Sequence, residues 1–287
     1  MDSDKIQWLR VTPFLLMHLA VFTAFLTGVS TTAVVVAVTL YLLRMFGITA
    51  FYHRYFSHRA FKTSRVVQFL GACLGNSAIQ RGPLWWAAHH RKHHMHSDSG
   101  LDVHSPHQHG FWWSHVGWFM TKKNYRSDHK AIKDFAAFPE LRFLDKFDWF
   151  VPLCLFCSLF LLGEYFQSAG FATNGWQLVV WGGVISTVCL YHMTFAINSL
   201  AHLLGTQDFK VRDHSRNNWL LALFTLGEGW HNNHHKFPAS ARSGLRWWQI
   251  DITYYVLLVL RMLRIVHSFQ NTPNAAAQTR GRLPANS

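Results

Sequence analysis

The chain has 287 residues, of which half are apolar and 16% aromatic, and its formal net charge is +13. This length allows one large domain or a membrane protein, and the basic excess raises nucleic-acid binding as a function class. The apolar residues fall in long membrane-spanning runs, which exclude that class and leave a membrane protein.

Four apolar runs approach the ~20 residues that a helix needs to cross a bilayer. We expect an all-α integral membrane protein whose four spans form two hairpins with short outer loops. Residues 51–148 and 198–268 are expected to form a cytoplasmic helical cap that completes a single domain over 1–268. Residues 269–287 are rich in Ala, Asn and Gln and are predicted to be a disordered tail. The four spans are predicted at 11–29, 31–50, 149–166 and 176–197.

Lysine and arginine are distributed unequally along the chain. The turn between the first two spans and the loop between the last two contain neither residue. The N-terminus, the 51–148 segment and the 198–287 segment hold nearly all of them, and the positive-inside rule places these regions in the cytoplasm. We therefore expect a bacterial-type inner-membrane protein with both termini and its active site on the cytoplasmic side.

Several shorter elements are predicted between and after the hairpins. Residues 66–80 are too short to span and predict an interfacial or re-entrant helix. Gly82 and Pro83 break the chain before a helix over the next residues. We also predict a helix over 127–136, a short helix from 218 and a surface helix over 247–268. Arg44 is expected to snorkel to the interface. An aromatic belt is expected from Trp85, Trp86, Trp112, Trp113, Trp118, Trp247 and Trp248.

Three histidine boxes dominate the sequence. Histidine is the commonest metal ligand among side chains. In the second and third boxes the imidazoles recur at i, i+3 and i+4, which share one face of a helix. The first pair is at i and i+5, about 140° apart on an α-helix, which suits two different metals, or one metal if the helix breaks between them. The boxes are HRYFSH from His53 to His58, HRKHH from His90 to His94 and HNNHH from His231 to His235.

The three boxes, the GFWWSHVGW stretch from Gly110 to Trp118 and the Asn198-x3-His202 pair resemble the membrane fatty-acid desaturases. The resemblance is nearest to the acyl-CoA (stearoyl-CoA) Δ9 branch and covers about residues 10–268. It implies a di-iron centre, with two iron ions held by nine histidines and an asparagine that reaches an iron through water. Asn198 takes the water-mediated place, and it shares a helical face with His202 at i+4. Carried onto this chain, the histidine ligands are His53, His58, His90, His93, His94, His202, His231, His234 and His235.

The resemblance implies an O2-dependent oxidoreductase that introduces a cis double bond, at Δ9, into a saturated acyl chain carried as an acyl-CoA thioester. Removing two hydrogens from an unactivated CH2–CH2 unit requires an oxidant stronger than any side chain, so a metal must activate O2. No catalytic residue beyond the metal ligands is expected. The sequence has no cysteine cluster and no GxGxxG after a strand, so electrons are expected from a separate ferredoxin, flavodoxin or cytochrome-type protein, which the basic face would attract.

Further residues are expected to support the metal site and the substrate. Glu228 is expected to orient a histidine, and so are Asp98 and Asp102, because the chain lacks the Glu-x-x-His pairs of carboxylate di-iron bundles. His107 and His115 are expected to hydrogen-bond the ligating groups. His18 and His192, inside the spans, are expected to be neutral, hydrogen-bonded imidazoles. Candidate substrate contacts are Trp85 and Trp86, together with Arg81, Lys122 and Lys123, whose alternative role is ordinary positive-inside charge.

Three alternatives stay open. The H-x4-H spacing of the first box favours desaturation over hydroxylation, whose enzymes usually have H-x3-H, but an acetylenase would use the same site. Ala88 and His89 stand where animal members of the family have charged residues, so the acyl chain could be carried by a carrier protein or a membrane lipid. A non-enzymatic His-rich metal or haem protein would place its ligands within the spans, whereas these boxes lie at the span ends.

Overall fold

Residues 5–270 are described by a computed structural model, and they form helices and one small sheet. The strands are β1 (Phe61–Thr63) and β2 (Val266–Phe269). Short helical turns cover Pro106–His109, Trp113–Gly117, Trp118–Met120, Lys122–Tyr125 and Lys133–Ala136. The longer helices are α1 (Trp8–Thr27), α2 (Thr31–Ser57), α3 (Arg65–Asn76), α4 (Pro83–His96), α5 (Pro139–Lys146), α6 (Phe150–Ser168), α7 (Gly175–His202), α8 (Trp219–Phe224), α9 (His231–Lys236) and α10 (Ile252–Met262).

Four helices, α1, α2, α6 and α7, are long and apolar enough to cross a membrane, as the sequence predicted. Side-chain caps start two of them: Ser30 accepts a hydrogen bond from the N–H of Ala33 at 3.1 Å, and Asn174 accepts one from Gln177 at 2.9 Å. Helices α1 and α6 both pack against α7. Helices α2 and α7 run past the predicted ends of their spans, so each carries candidate ligands on its last turns.

The last eleven residues of α2, Gly47–Ser57, wind as a π-helix. The N–H of His58 donates to the carbonyl of His53 at 3.2 Å, the i→i+5 bond of this wider winding. Two glycines of α3 let that helix approach closely, because a Cβ at Gly71 or Gly75 would overlap an aromatic ring of the π segment. Helix α4 packs against the same segment, so the first and second boxes are neighbours.

Two predicted helices of the cap are wrong in extent. The helix expected over 247–268 ends at Met262, and the chain then forms β2, which pairs antiparallel with β1 and places Phe61 opposite Phe269. The all-α prediction therefore needs one two-stranded sheet added. The helix expected over 127–136 is reduced to Lys133–Ala136, because the Asp128 carboxylate accepts the N–H of Lys130 at 3.1 Å and competes with helix formation. Of the predicted disordered tail, 271–287 lie outside the described residues.

Arg44 is buried between α2, α3 and α7, so its predicted snorkelling to the interface is wrong. Its side chain is only 1% exposed. Every N–H of the guanidinium finds an oxygen acceptor, which removes the usual penalty for burying unpaired donors. The acceptors are the carbonyls of Leu40 (3.2 Å), Ser77 (3.3 Å) and Gly182 (3.1 Å) and the hydroxyls of Thr187 and Ser186 (2.6 Å each).

Candidate metal centre

The nine histidines singled out in the sequence converge in two adjoining groups. In each group the nitrogen atoms that could bind a metal all lie within 4.8 Å of one another. Both histidines of the first box belong to the same group, because the π-helical winding, rather than a break in the helix, aligns positions i and i+5. The five-histidine group contains His53, His58, His90, His94 and His234, and the four-histidine group contains His93, His202, His231 and His235.

Facing imidazole nitrogens in these groups are about as close as a hydrogen bond. The Nε2 atoms of His53 and His234 are 3.0 Å apart, and those of His202 and His231 are also 3.0 Å apart. A neutral imidazole has only one N–H, and the Nδ1 atoms of His53 and His202 direct theirs to carboxylates. Their Nε2 lone pairs therefore point into the groups, where a cation would bind them.

Four carboxylates accept the outward Nδ1–H of four histidines, an arrangement that fixes both ring orientation and tautomer. Glu228, Asp98 and Asp102, the three carboxylates that the sequence singled out, are all in this position. The fourth, Asp213, was not recognised in the sequence, because it lies in a polar loop with no spacing relation to any box. The Nδ1-to-oxygen distances are 2.6 Å for His53–Glu228, 3.0 Å for His93–Asp102, 2.8 Å for His202–Asp98 and 2.7 Å for His235–Asp213.

Electrostatics hold the pKa of six of the nine histidines, and that of all four carboxylates, below the usual values. His93 differs, because the charge of the neighbouring Asp102 outweighs burial and raises its pKa. Burial, reinforced by neighbouring imidazoles, holds the pKa of His58 and His90 well below the usual 6.5. Burial also lowers the pKa of His235 to about 4, although its hydrogen bond to Asp213 opposes this shift. Burial raises the pKa of Asp213, but the bond from His235 more than offsets it, so the pKa lies well below its usual value. Neutral imidazole is the form that binds a metal.

The donor set fits two metal ions of a kind that favours imidazole. Nitrogen ligands of this type suit iron, among other transition metals. The Nε2 atom of His235 is buried and has no hydrogen-bond partner among residues 5–270, although its ring is oriented by Asp213. A metal ion in the four-histidine group would use that lone pair.

Behind the five-histidine group lies a buried ion-pair network that sequence reasoning missed. Arg54 lies 2.9 Å from Glu228 and 2.9 Å from Asp251, and it also donates to the carbonyl of Ala241 at 2.8 Å. Asp251 additionally accepts the N–H of Tyr254 at the start of α10. In a sequence, an arginine at the end of a span is indistinguishable from positive-inside charge. In this structure Arg54 contacts one carboxylate oxygen of Glu228, and His53 contacts the other.

Comparison with known proteins identifies the family of this chain. The family described as fatty acid desaturase matches residues 30–260. The chain belongs to the fatty acid desaturase family. It is 38% identical to an sn-1 stearoyl-lipid 9-desaturase of Anabaena variabilis, over 91% of this chain and 93% of that protein. It is 33% identical to an sn-2 palmitoyl-lipid 9-desaturase of Nostoc sp., over 96% and 94% of the two chains, and 38% identical to an acyl-CoA 5-desaturase of Anemone leveillei, over 79% and 68%. The family resemblance read from the boxes is thereby confirmed.

Four other histidines of this desaturase hydrogen-bond the backbone, Ser199 or one another. His107 contacts the backbone carbonyl of His202 through Nε2 at 3.0 Å, next to the four-histidine group. His115 contacts Ser199 at 2.9 Å and His192 at 3.0 Å, and neither of these contacts involves a histidine of the three boxes. His192 in turn contacts His18 at 3.1 Å. The two intramembrane histidines are therefore hydrogen-bonded between helices, as expected.

The desaturase has a cavity of about 670 Å³ beside the five-histidine group. His90 and Asn198 are part of its wall, and the carbonyl of Asn198 accepts a hydrogen bond from Ser114 at 3.0 Å. Much of the wall is aromatic, and it includes Trp85 and Trp118, which are 6% and 7% exposed. These two and Trp86 line the cavity, so their assignment to an aromatic belt is wrong. Trp112, Trp247 and Trp248 are exposed, as a belt requires.

The basic residues that are candidate substrate contacts of the desaturase lie in two different places. Arg81 lines the cavity. Lys123 lines a second pocket of about 320 Å³, which also contains Lys92 and Arg126. Lys122 is exposed and lies in the same helical turn as Lys123. His89 contributes to the walls of both spaces.

Proposed function

We propose that this desaturase is an O2-dependent di-iron enzyme that introduces a cis double bond at Δ9 of a saturated acyl chain. The observation that carries this proposal is the convergence of nine histidines in two adjoining groups, one of which reaches the wall of a cavity rich in aromatic residues through His90. Two bound iron ions would supply the oxidising chemistry that the side chains lack. The protein would hold the ions, exclude water and position one methylene pair beside them.

The proposed ligands follow the two groups. One iron would be bound by the five-histidine group, and the other by the four-histidine group, with Asn198 near the second through a water molecule. Glu228, Asp98, Asp102 and Asp213 would hold the imidazole rings with Nε2 directed inward. Because each of these carboxylates accepts Nδ1–H, none of them is needed as a direct ligand.

The substrate chain would run past the ring of Trp86, which stacks on His90 with a centroid distance of 5.0 Å. Close by in the cavity wall, the side-chain amide of Gln80 donates to the hydroxyl of Thr194 at 3.0 Å. This polar contact is fixed by a turn with left-handed backbone at Ile79 and Arg81, whose carbonyls accept from Tyr191 and Tyr52. A rigid wall at this point supports selection of one methylene pair.

The names of the relatives support Δ9, since two of the three describe 9-desaturases, while the third describes a 5-desaturase. The names of these relatives divide between lipid-linked and CoA-linked acyl chains.

We further propose that the cap and both termini face the cytoplasm, in line with the distribution of Lys and Arg. A separate electron-transfer protein would dock there.

Expression in a host that lacks its own desaturase tests the proposal. Gas chromatography of total lipids should reveal a cis-9 monounsaturated product with the wild-type chain and none with His94→Ala. Immunodetection in the membrane fraction controls for the amount of the variant. Saturated lipids left unchanged by iron-loaded, reduced wild-type protein would refute desaturation, and full activity of the variant would refute the ligand assignment.

A further inference from the structure

The accessible part of the cavity wall belongs to two candidate membrane spans. Pro13 of α1 is exposed, and so is Leu153 of α6, which is 52% exposed. Trp149, directly before α6, is 57% exposed. All three line the cavity. Because α1 and α6 are apolar enough to cross a membrane, the gap between them would open toward lipid.

Each of these helices turns one stripe of side chains toward the cavity. On α1 the lining residues Arg10, Phe14 and Met17 recur at i, i+4 and i+7, and on α6 Leu153 and Phe156 are three residues apart. Arg10 and Met17 are separated by about 10 Å along the helix axis at 1.5 Å per residue. The charged group therefore lies at the beginning of the span, and the apolar groups lie one to two turns deeper. This order matches a lipid headgroup above its acyl chains.

Two guanidinium groups sit at the polar end of the opening. The Arg10 and Arg81 guanidinium carbons lie 4.0 and 3.8 Å from the centroid of the Tyr125 ring. Two groups this close to one centroid must cover opposite faces of the ring. Arg81 also pairs with Asp148 at 3.3 Å, two residues before α6 begins. The Arg10–Tyr125–Arg81 stack thus connects the beginning of α1 to the cap, and Asp148 extends the connection toward α6.

The wall toward the second, basic pocket is closed by packed rings. The indole N–H of Trp85 donates to the carbonyl of Asn124 at 2.8 Å, and its ring stacks on Trp118 with a centroid distance of 5.6 Å. His89 fills the remaining space, with its ring 4.5 Å from that of Trp85. A soluble thioester with its phosphates on Lys123 and Arg126 would have to open this wall to pass its chain into the cavity.

We propose that the acyl chain enters sideways from the bilayer, between α1 and α6, while it remains esterified in an anionic phosphoglycerolipid. The lipid phosphate would lie at the Arg10–Tyr125–Arg81 stack, where guanidinium groups suit it. The chain would pass Pro13 and Leu153 and reach Trp86. This inference rests on the desaturase function proposed above and assigns the carrier of the chain.

Photolabelling tests the entry route without requiring turnover. The full-length protein in lipid nanodiscs receives a trace of phosphatidylglycerol that carries a diazirine midway along a stearoyl chain. After irradiation, peptide mass spectrometry should find label on cavity residues such as the buried Tyr191 and the partly buried Trp86. Leu153→Trp, which fills the opening, should lower this labelling about tenfold. Leu161→Trp is the matched control, because Leu161 is 67% exposed on the same helix and does not line the cavity.

Should Leu153→Trp fail to fold, Leu153→Phe provides a milder obstruction of the same opening. Label confined to the outer faces of α1 and α6 would overturn the proposal, as would unchanged cavity labelling in a folded Leu153→Trp protein. Arg10→Gln should reduce cavity labelling by the phosphatidylglycerol probe but not by its uncharged diacylglycerol analogue. Equal loss with both probes would refute the role given to the guanidinium stack.

Turnover separates this inference from the proposed function. Iron-loaded, reduced protein receives either distearoyl phosphatidylglycerol in nanodiscs or stearoyl-CoA. Desaturation of the lipid supports both proposals. Desaturation of stearoyl-CoA alone, with no cavity labelling by the lipid probe, would refute lateral entry and leave desaturation intact. Cavity labelling without desaturation of either substrate would refute the enzyme and leave the entry route intact.

Discussion

Replacing Glu228 by Gln removes the carboxylate charge that His53 and Arg54 share behind the five-histidine group. Glu228 lies 2.6 Å from Nδ1 of His53 and 2.9 Å from Arg54, and the side chains of Glu228 and Arg54 are 7% and 1% exposed. Removing one partner of a buried ion pair costs about 3–5 kcal/mol, because the other charge is left uncompensated. Arg54 keeps Asp251, and glutamine keeps a carbonyl acceptor. We therefore expect the free energy of unfolding to fall by about 3 kcal/mol, the lower end of this range.

The same substitution should weaken iron binding at one group only. Loss of a carboxylate that orients a ligating histidine lowers metal affinity by about 10- to 100-fold. Purified protein loaded with iron and titrated with a chelator would measure this affinity, and chemical denaturation in detergent would measure stability. Glu228→Gln should release about one of the two irons at a chelator concentration that leaves the wild-type protein loaded.

Glu140→Gln is the matched control for this experiment. Glu140 forms a bidentate pair with Arg65 at 2.7 and 2.8 Å, but the Arg65 side chain is 61% exposed. Solvent screens such a pair, so iron affinity and the denaturation midpoint should match the wild-type values. If Glu228→Gln also kept both values, the orienting role of Glu228 would be refuted.

Three further outcomes are expected. Asp213→Asn should weaken the four-histidine group through His235, and chelator titration should again release one iron, whereas retention of both would contradict the role of this carboxylate. The metal-free protein should lose stability as the pH falls below about 6.5. Buried histidines such as His58 have a lowered pKa in the folded state, so they take up protons only when the protein unfolds. Equal melting temperatures at about pH 5.5 and 7.5 would exclude this linkage. Arg44→Met should destabilise the fold by about 2–5 kcal/mol, because buried acceptors lose their donor, while the exposed Arg142→Met should melt like the wild type.

The features that could be predicted from the sequence are those encoded in local patterns. Long apolar runs define the four candidate spans, and the i, i+3, i+4 spacing of the second and third boxes specifies one helical face for each. The break at Gly82 and Pro83 correctly starts α4. The grouping of the nine histidines followed from family resemblance and not from spacing, since nothing local indicates which boxes meet.

The features that could not be predicted depend on contacts between distant segments. The β1–β2 pairing joins Phe61 to Phe269 across about two hundred residues, and no local pattern encodes it. Asp213 acts on His235 from a loop. Arg44 resembles a snorkelling residue in the sequence because its acceptors come from other helices. Trp85 and Trp86 could equally well belong to a belt or a cavity wall, and only the packing of α4 distinguishes the two.

The π-helical end of α2 has a consequence for protein engineering and for interpreting insertions and deletions near the first histidine box in this family. On a regular α-helix the five-residue step from His53 to His58 would rotate one imidazole about 140° away from the other. A box shortened by one residue would bring them within about 40° on a regular helix, but would then be out of phase with the wide turn observed here. The length of the box and the winding of its helix must therefore change together if the two rings are to stay paired. Copying the six residues into a regular α-helix, or deleting a residue outside the box so that the π-helix becomes an α-helix, should separate the two rings even with every histidine still in the sequence.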